Sequence, residues 1–336
     1  MNNLNVMYAC DNNYAPYACI SICSLLENNK KFDKINIYVV LDNVSEENQI
    51  KIKKQIEKQN ANYIPVDAGT IIEKIIELGI PKYRGSYAAN YRLFFEDFIL
   101  EDTDRLIYLD CDTLIVNDLN KMVNYDLGEC CVGVVQDAVV DEYRKLIGFN
   151  LEQKYFNTGV LLIDVKNWRR NGCTELILSH LKNKRANYCN PDQDILNIVL
   201  HDKAFFLGPQ YNFQPMHSII KDDKYLRVYK NSVYYCQDEI SAARKEKTII
   251  HAYRFLGAFP WHINAIHPDT YEFDKYMRIS ECNDYVKKKA NLSLTMIIER
   301  ILFRVLPNSV FFKLFRYAQL RTFIKQDKKL KKMSNN

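Results

Sequence analysis

Apolar residues run along this chain in two alternating rhythms. Asn5 to Cys10 is a short apolar run that stops at Asp11, Asn12 and Asn13, the pattern of a buried strand feeding a turn. Ala15 to Leu26 then has helical spacing, with Ala18, Ile22 and Leu25 on one face. Ile35 to Leu41 is β-branched and apolar, a second strand; Glu46 to Lys58 is a helix with a polar face; Tyr63 to Val66 is a third strand. Tyr87 to Leu100 reads as helical, and Arg105 to Leu109 is another strand, which runs into Asp110. In the second half Val160 to Val165 and Thr248 to His251 read as strands, Thr174 to Leu181 and Asp192 to Leu200 as helices. Strands and helices taking turns predict an α/β fold, a mixed, mostly parallel sheet flanked by helices on both faces.

In such sheets ligands bind beyond the carboxyl ends of the strands. Two polar clusters sit at such ends, Asp11-Asn12-Asn13-Tyr14 and Asp110-Cys111-Asp112, so both are expected to face one crevice. Neither common glycine-rich phosphate loop, GxGxxG or GxxxxGK[ST], occurs in the chain. A phosphorylated ligand would then need a metal to do what those loops do elsewhere. Asp110 and Asp112 are two apart, which in extended backbone puts both carboxylates on one side. Two converging anions repel unless a cation lies between them. Hard oxygen donors with open positions suit Mg2+ or Mn2+ holding a diphosphate. The spacing alone says little: Asp102/Asp104 and Asp192/Asp194 repeat it, and chance gives about two such triplets in a chain this rich in aspartate. Only Asp110/Asp112 directly follows an apolar strand.

Composition narrows the class. The 336 residues are 48% apolar and 26% charged, a globular balance that excludes a disordered or coiled-coil chain. The longest uncharged stretch, Ala204 to Ile220, holds Pro209, Pro215 and His217 and is no membrane span. A net charge of +5 hides an asymmetry. Residues 285–336 carry thirteen Lys/Arg against Glu299 and Asp327, while the rest of the chain is net acidic. Residues 1–284 are therefore expected to form the main domain and 285–336 a basic helical tail that meets an anionic surface. Ten cysteines without a CxxC pair read as free thiols in a reducing cytosol. The N-terminus has no basic start and no apolar block, so no signal peptide is expected.

Four ordered segments between residues 4 and 262 resemble the family 8 glycosyltransferases, the retaining group that includes bacterial lipopolysaccharide galactosyl- and glucosyltransferases and, more distantly, glycogenin. They are Ala9-Cys-Asp-Asn-Asn-Tyr14; Tyr91-Arg-Leu93 with Tyr108-Leu-Asp-Cys-Asp112; Tyr155-Phe-Asn-Thr-Gly-Val-Leu-Leu-Ile-Asp164; and Asn190-Pro-Asp-Gln-Asp-Ile-Leu-Asn197. The resemblance implies a GT-A type, Rossmann-like fold, a UDP-sugar donor (UDP-galactose or UDP-glucose), Mn2+ and an α-linked product. By the same resemblance Ala9, Asp11, Asn13 and Tyr14 form the uridine turn, with Asp11 reading the uracil edge and Tyr14 stacking on the ring. Arg92 lies near the donor sugar and diphosphate. Asp110, Cys111 and Asp112 form the metal motif, completed by His251. Asn157 and Thr158 touch the donor sugar, and Asp192 and Gln193 face the anomeric carbon as the catalytic pair.

One stretch departs from the family pattern. That pattern ends with His, an aromatic, one residue, Gly, two residues and Lys-Pro-Trp. Here the text is His251-Ala-Tyr-Arg-Phe-Leu-Gly257-Ala-Phe-Pro-Trp261: three residues are inserted before Gly257, and Phe259 stands where Lys is expected. That Lys contacts the departing diphosphate in the family, and Arg254, inside the insertion, is the expected substitute. Leu292 to Leu306 and Val310 to Ile324 carry apolar residues at three- and four-residue spacing, interleaved with Lys313, Arg316, Arg321 and Lys325. This suits residues 290–336 lying on an anionic membrane surface rather than on nucleic acid. The expectation is a transferase peripheral on the cytoplasmic face of the membrane, extending a surface glycan or lipid-linked acceptor. A degenerate sugar-nucleotide-binding scaffold and a glycogenin-like self-glucosylating enzyme are the alternatives.

Overall fold

A computed structural model describes residues 2–83, 85–183, 188–219 and 231–334. The first half follows the apolar rhythm closely. β1 (Asn3–Asp11) and β2 (Lys34–Asp42) are nearly continuous apolar runs, as strands covered on both faces must be. β3 (Asn62–Asp67), β4 (Arg105–Leu109), β6 (Val132–Gln136), β7 (Phe156–Asp164) and β8 (Ala204–Phe206) complete a seven-stranded sheet of order β3-β2-β1-β4-β7-β6-β8. Every neighbouring pair is parallel except those made by β7, which runs antiparallel to both β4 and β6. A two-stranded ribbon, β5 (Thr113–Ile115) against β9 (Ile249–His251), stands beside the sheet.

Helices Ala15–Asn28 and Glu46–Glu57 pack on one face of the sheet; helices Gly69–Glu77, Cys173–Asn183 and Pro191–Leu200 pack on the other. Ser45 caps the helix at Glu46, and Pro16 and Pro191 sit in the first turns of theirs, where a missing N–H costs nothing. Three elements depart from the periodic reading. Residues Ala88–Asp97 form a kinked 3-10 helix rather than an α-helix, because Asn90 to Phe95 are buried in succession and an amphipathic helix would have to expose part of that run. β7 starts at Phe156, not Val160: the polar Asn157 hides the strand in the sequence but pairs with Val135. β6 and the helix Gly69–Glu77 were not singled out by the sequence pattern at all.

The tail folds back on the body. Lys288–Lys289 pair with His262–Ile263, and helices Leu294–Val305 and Asn308–Ser334 follow. Phe311 and Phe312 are 2% exposed in a third apolar cluster with Tyr143, Tyr155 and Phe255, and Arg316 pairs with Glu142. Other tail residues, Leu294, Ile297, Ile298, Ile301 and Leu314 among them, are exposed. Residues 335 and 336 of the expected surface-binding tail lie outside the described residues. Among the described residues no helix is long and apolar enough to cross a membrane, and the ten cysteines are free thiols.

Candidate active site at the carboxyl edge of the sheet

Sheet topology brings the polar clusters together. β1 ends at Asp11 and β4 delivers Asp110, while β7, running the other way, begins at that same edge with Phe156, Asn157 and Thr158. The Asp110 N–H donates to the Gly159 carbonyl at 2.8 Å. In the ribbon Thr113 pairs with His251, and the Ala252 N–H donates to the Asp112 carbonyl, so His251 stands beside both aspartates.

His251 Nε2 lies 3.2 Å from Asp112 Oδ1 and 3.7 Å from Asp110 Oδ2. One donor atom from each of the three residues lies within 4.8 Å of the others, and among the described residues this is the one such group. The chemistry of the donor set fits a divalent cation: two carboxylates and an imidazole. The surroundings fit too. His251 Nδ1 is 3.0 Å from Asn212 Oδ1, a pairing that puts the proton on Nδ1 and leaves the Nε2 lone pair for a cation. Arg92 and Tyr108 both donate to Asp110 Oδ1, at 2.7 and 2.8 Å, which leaves Oδ2 facing His251. Gly159 supplies the room: a Cβ there would meet Asp110 Oδ2 at 2.7 Å and overlap the His251 ring. Burial disfavours a charged His251, but the carboxylates of Asp112 and Asp110 outweigh it and hold the imidazole above its ordinary pKa.

Arg92, 3% exposed, ties this group to the next. Its Nε is 3.4 Å from Asp192 Oδ2 and donates to the Ala89 carbonyl; its guanidinium also reaches the Thr158 carbonyl and stacks over the Tyr108 ring. Thr158 Oγ1 donates to Asp192 Oδ2 at 2.9 Å. Asp192 and Gln193 lie in the first turn of helix Pro191–Leu200, where free N–H groups and the dipole favour anionic neighbours. Burial raises the Asp192 carboxyl, and Arg92 opposes it. The Gln193 amide oxygen accepts from Asn157 Nδ2 and from the Thr158 N–H, both at 3.2 Å. Its nitrogen donates to Asp137 Oδ2 at 2.9 Å and to the Tyr155 hydroxyl at 3.0 Å. Burial raises Asp137 as well, while hydrogen bonds from Gln193 and Asn157 favour its ionised form.

The Asp11 turn closes β1 at the same edge. Asp11 Oδ1 accepts the N–H of Asn13 and of Tyr14, fixing the turn. Asp11, Asn12 and Asn13 line a cavity of about 500 Å³ with Asp42, Lys82 and Tyr87. The Cys111 thiol donates to the Ala9 carbonyl at 3.2 Å, joining the turn to the Asp110–Asp112 segment, and contact with Cys10 together with burial keeps it protonated. Phe259, where the resemblance leads one to expect a lysine, stacks on Trp261 at 4.4 Å, and Trp261 stacks in turn on Tyr17 at 3.8 Å. Tyr14 meets Trp261 edge-on. Gly257 has φ +77°, and a Cβ there would press on Leu292 and Met296 of the tail. Arg254 places one guanidinium nitrogen 3.0 Å from Met296 Sδ.

The structure thus brings Asp110, Asp112, His251, Arg92, Asn157, Thr158, Asp192 and Gln193 into one connected set, with the Asp11 turn joined to it through Cys111. The sequence did not single out Asp137 and Asn212, and it gave no role to Tyr108 and Tyr155, which open two of the segments quoted above. Asp137 had a weaker signal: it comes just past the strand that holds Val132 to Val135, with Gln136 between, whereas Asp110 follows its own run directly. Asn212 sits in the short 3-10 turn Pro209–Asn212 and had none.

Three comparisons bear on this geometry. The family model described as Glycosyl transferase family 8 matches residues 5–265. The lipopolysaccharide 1,2-glucosyltransferase of Escherichia coli (strain K12) is 30% identical over 301 residues, 88% of this chain and 82% of its own length. General stress protein A of Bacillus subtilis (strain 168) is 27% identical over 285 residues, 83% of this chain and 95% of its own. The solved structure of the galactosyltransferase LgtC, in complex with donor and acceptor sugar analogs, superimposes with a TM-score of 0.67 at 23% identity over 82% of this chain and 96% of that one, a likeness of fold.

Proposed function

The chain belongs to glycosyl transferase family 8, and on that premise we propose that it moves a hexose, galactose or glucose, from UDP-galactose or UDP-glucose to a surface-glycan or lipid-linked acceptor. The configuration of the sugar is retained and the product is α-linked. The observation that carries the reading is the meeting of Asp110, Asp112 and His251 with Asn157, Thr158, Asp192 and Gln193 at the edge that also holds the Asp11 turn.

Asp110, Asp112 and His251 would hold the metal, Mn2+ in first place and Mg2+ as the substitute. When bound, it supplies positive charge where the departing diphosphate gathers negative charge. The chain's own residues do the rest. Asp11, Asn13 and Tyr14 seat the uridine, with Ala9 and Cys111 beside the turn. Arg92 keeps its charge in a dry setting between Asp110 and Asp192, so it faces the same leaving group without reorganising. Asn157, Thr158 and Asp192 orient the sugar. Gln193 is a weak nucleophile whose amide already makes four hydrogen bonds, which disfavours a covalent sugar intermediate on it. The acceptor hydroxyl therefore approaches on the face the diphosphate leaves, and the diphosphate takes its proton. Arg254 and Gly257 belong to the loop that follows His251, and Arg254 supplies the cation lost at Phe259.

Residues 1–284 form the transferase domain, and residues 290–336 sit on an anionic, inner-face membrane surface. Exposed Leu294, Ile297, Ile298 and Ile301, with Lys288 and Lys289 nearby in the chain, support that placement: an apolar face beside cations fits lipid better than nucleic acid. A screen of UDP-sugars with Mn2+ titration tests the reading. Metal-dependent hydrolysis or transfer of UDP-glucose or UDP-galactose is expected. No turnover with any donor would leave a sugar-nucleotide binder, and a mass increase of the chain itself would leave a self-glycosylating enzyme.

A further inference from the structure

We infer that Asp137, at the end of β6, is a positioning residue that fixes which end of the Gln193 amide faces the donor sugar; the inference rests on the transferase reading above. A primary amide can present oxygen or nitrogen by a half-turn about its last bond, so its neighbours decide. Around Gln193 they agree. The Asp137 carboxylate, which only accepts, is 2.9 Å from Nε2. The other acceptor of Nε2 is the Tyr155 hydroxyl at 3.0 Å, and Tyr155 has committed its own proton to Asp194 Oδ1 at 2.6 Å. On the opposite side Oε1 receives the Thr158 N–H and Asn157 Nδ2. Asn157 is fixed in turn, because its Oδ1 accepts from the Gly159 N–H and from Asn212 Nδ2, both at 2.9 Å.

A flipped Gln193 would set its oxygen against a carboxylate and its hydrogens against other hydrogens. Held as it is, the amide turns its negative end toward Asn157 and Thr158, where the sugar is expected, and its positive end away. An oxygen there favours the positive charge that develops on the anomeric carbon, and a flipped N–H pair would oppose it.

The test uses the full-length protein and its variants Asp137→Asn, Gln193→Glu and the two combined, with kcat, donor KM, UDP affinity, thermal unfolding and the 15N resonances of the Gln193 side chain as readouts. In Asp137→Asn kcat is expected to fall at least tenfold, with donor KM and UDP affinity within twofold and the melting temperature kept, and the Gln193 side-chain resonances are expected to shift. Gln193→Glu sets two carboxylates face to face and loses more. In the combined variant the new amide donates to the new carboxylate, and kcat recovers at least tenfold over Gln193→Glu alone. Wild-type kcat in Asp137→Asn, a combined variant no better than Gln193→Glu, or unmoved Gln193 resonances would each overturn the inference. If the wild-type protein transfers no sugar, the transferase reading falls, and the side-chain resonances still decide the orientation.

Discussion

At the carboxyl edge of the sheet polar and charged side chains such as Arg92, Asp192 and His251 are buried; on the tail many apolar side chains are exposed. Arg92 is 3% exposed and His251 is equally buried, yet both have partners on several sides. On the tail, Leu294 is 72% exposed and Ile301 54%, while Phe311 and Phe312, a short distance along the chain, are buried against the body. A buried polar group needs partners within the fold, and at the edge most of those partners are other site residues. An apolar stripe left in water invites a partner outside the fold. The first region is paired largely within itself; the second is half docked and half turned outward.

The sharpest way to break this contrast is at its charged end. Asp110→Asn removes a cation ligand and the partner of Arg92 and Tyr108, and metal-dependent transfer should fall by about a hundredfold or more. Steady-state rates across a Mn2+ titration check it, and a fully active variant would remove the metal assignment. Next in size is Arg254→Ala. If Arg254 replaces the family lysine, kcat and UDP affinity should drop by about tenfold or more; unchanged values would give Arg254 a structural place beside Met296 and none in the reaction.

Which parts of this could be read from the chain depended on whether position in the sequence implied position in space. Asp11 and Asp110 were legible because each follows an apolar strand, and strand ends gather at one edge. Asn157 and Thr158 were legible only through resemblance, since their polarity conceals that they belong to β7. His251 was legible at the end of its strand, but its pairing with Thr113 was not, because β5 is three residues long. Asn212 lies on a short turn far away in sequence, and nothing local says that it orients an imidazole. On the tail the apolar spacing gave the helices, but not which residues dock: Phe311 and Ile301 look alike in the sequence and end on opposite sides of the water boundary.

The outward side of the contrast is tested by Ile298→Ser with Ile301→Ser. Partitioning onto vesicles rich in anionic lipid should fall by about tenfold or more, since two half-exposed apolar side chains are lost from the contact. Sedimentation with vesicles measures it, and the melting temperature should hold because neither residue is buried. Equal binding by both proteins would leave the exposed stripe without its lipid partner.

The smallest effect probes how a buried polar group is kept neutral. His217, fully buried, accepts the Gln214 N–H at Nδ1 and pairs with the Tyr234 hydroxyl, and burial with nearby Arg244 pulls its pKa down to about 3. The unfolded chain binds that proton near pH 6.5, so the stability tied to a neutral His217 is present above pH 6.5 and is lost as pH falls from there toward 3. His217→Gln cannot take up the proton. Its stability deficit relative to wild type should therefore shrink by about 2 kcal/mol between pH 7 and pH 5, read from denaturant melts at each pH. A deficit that stays constant would mean that His217 is not held neutral.

If a cation gripped by Asp110, Asp112 and His251 takes the place of a glycine-rich loop for the nucleotide, UDP binding depends on that cation. The direct measurement is a calorimetric titration of UDP into the protein with Mn2+ and again with the metal chelated. Binding should weaken at least tenfold when the metal is removed, and an Asp110→Asn variant should no longer respond to Mn2+. UDP bound equally tightly with and without metal would contradict it.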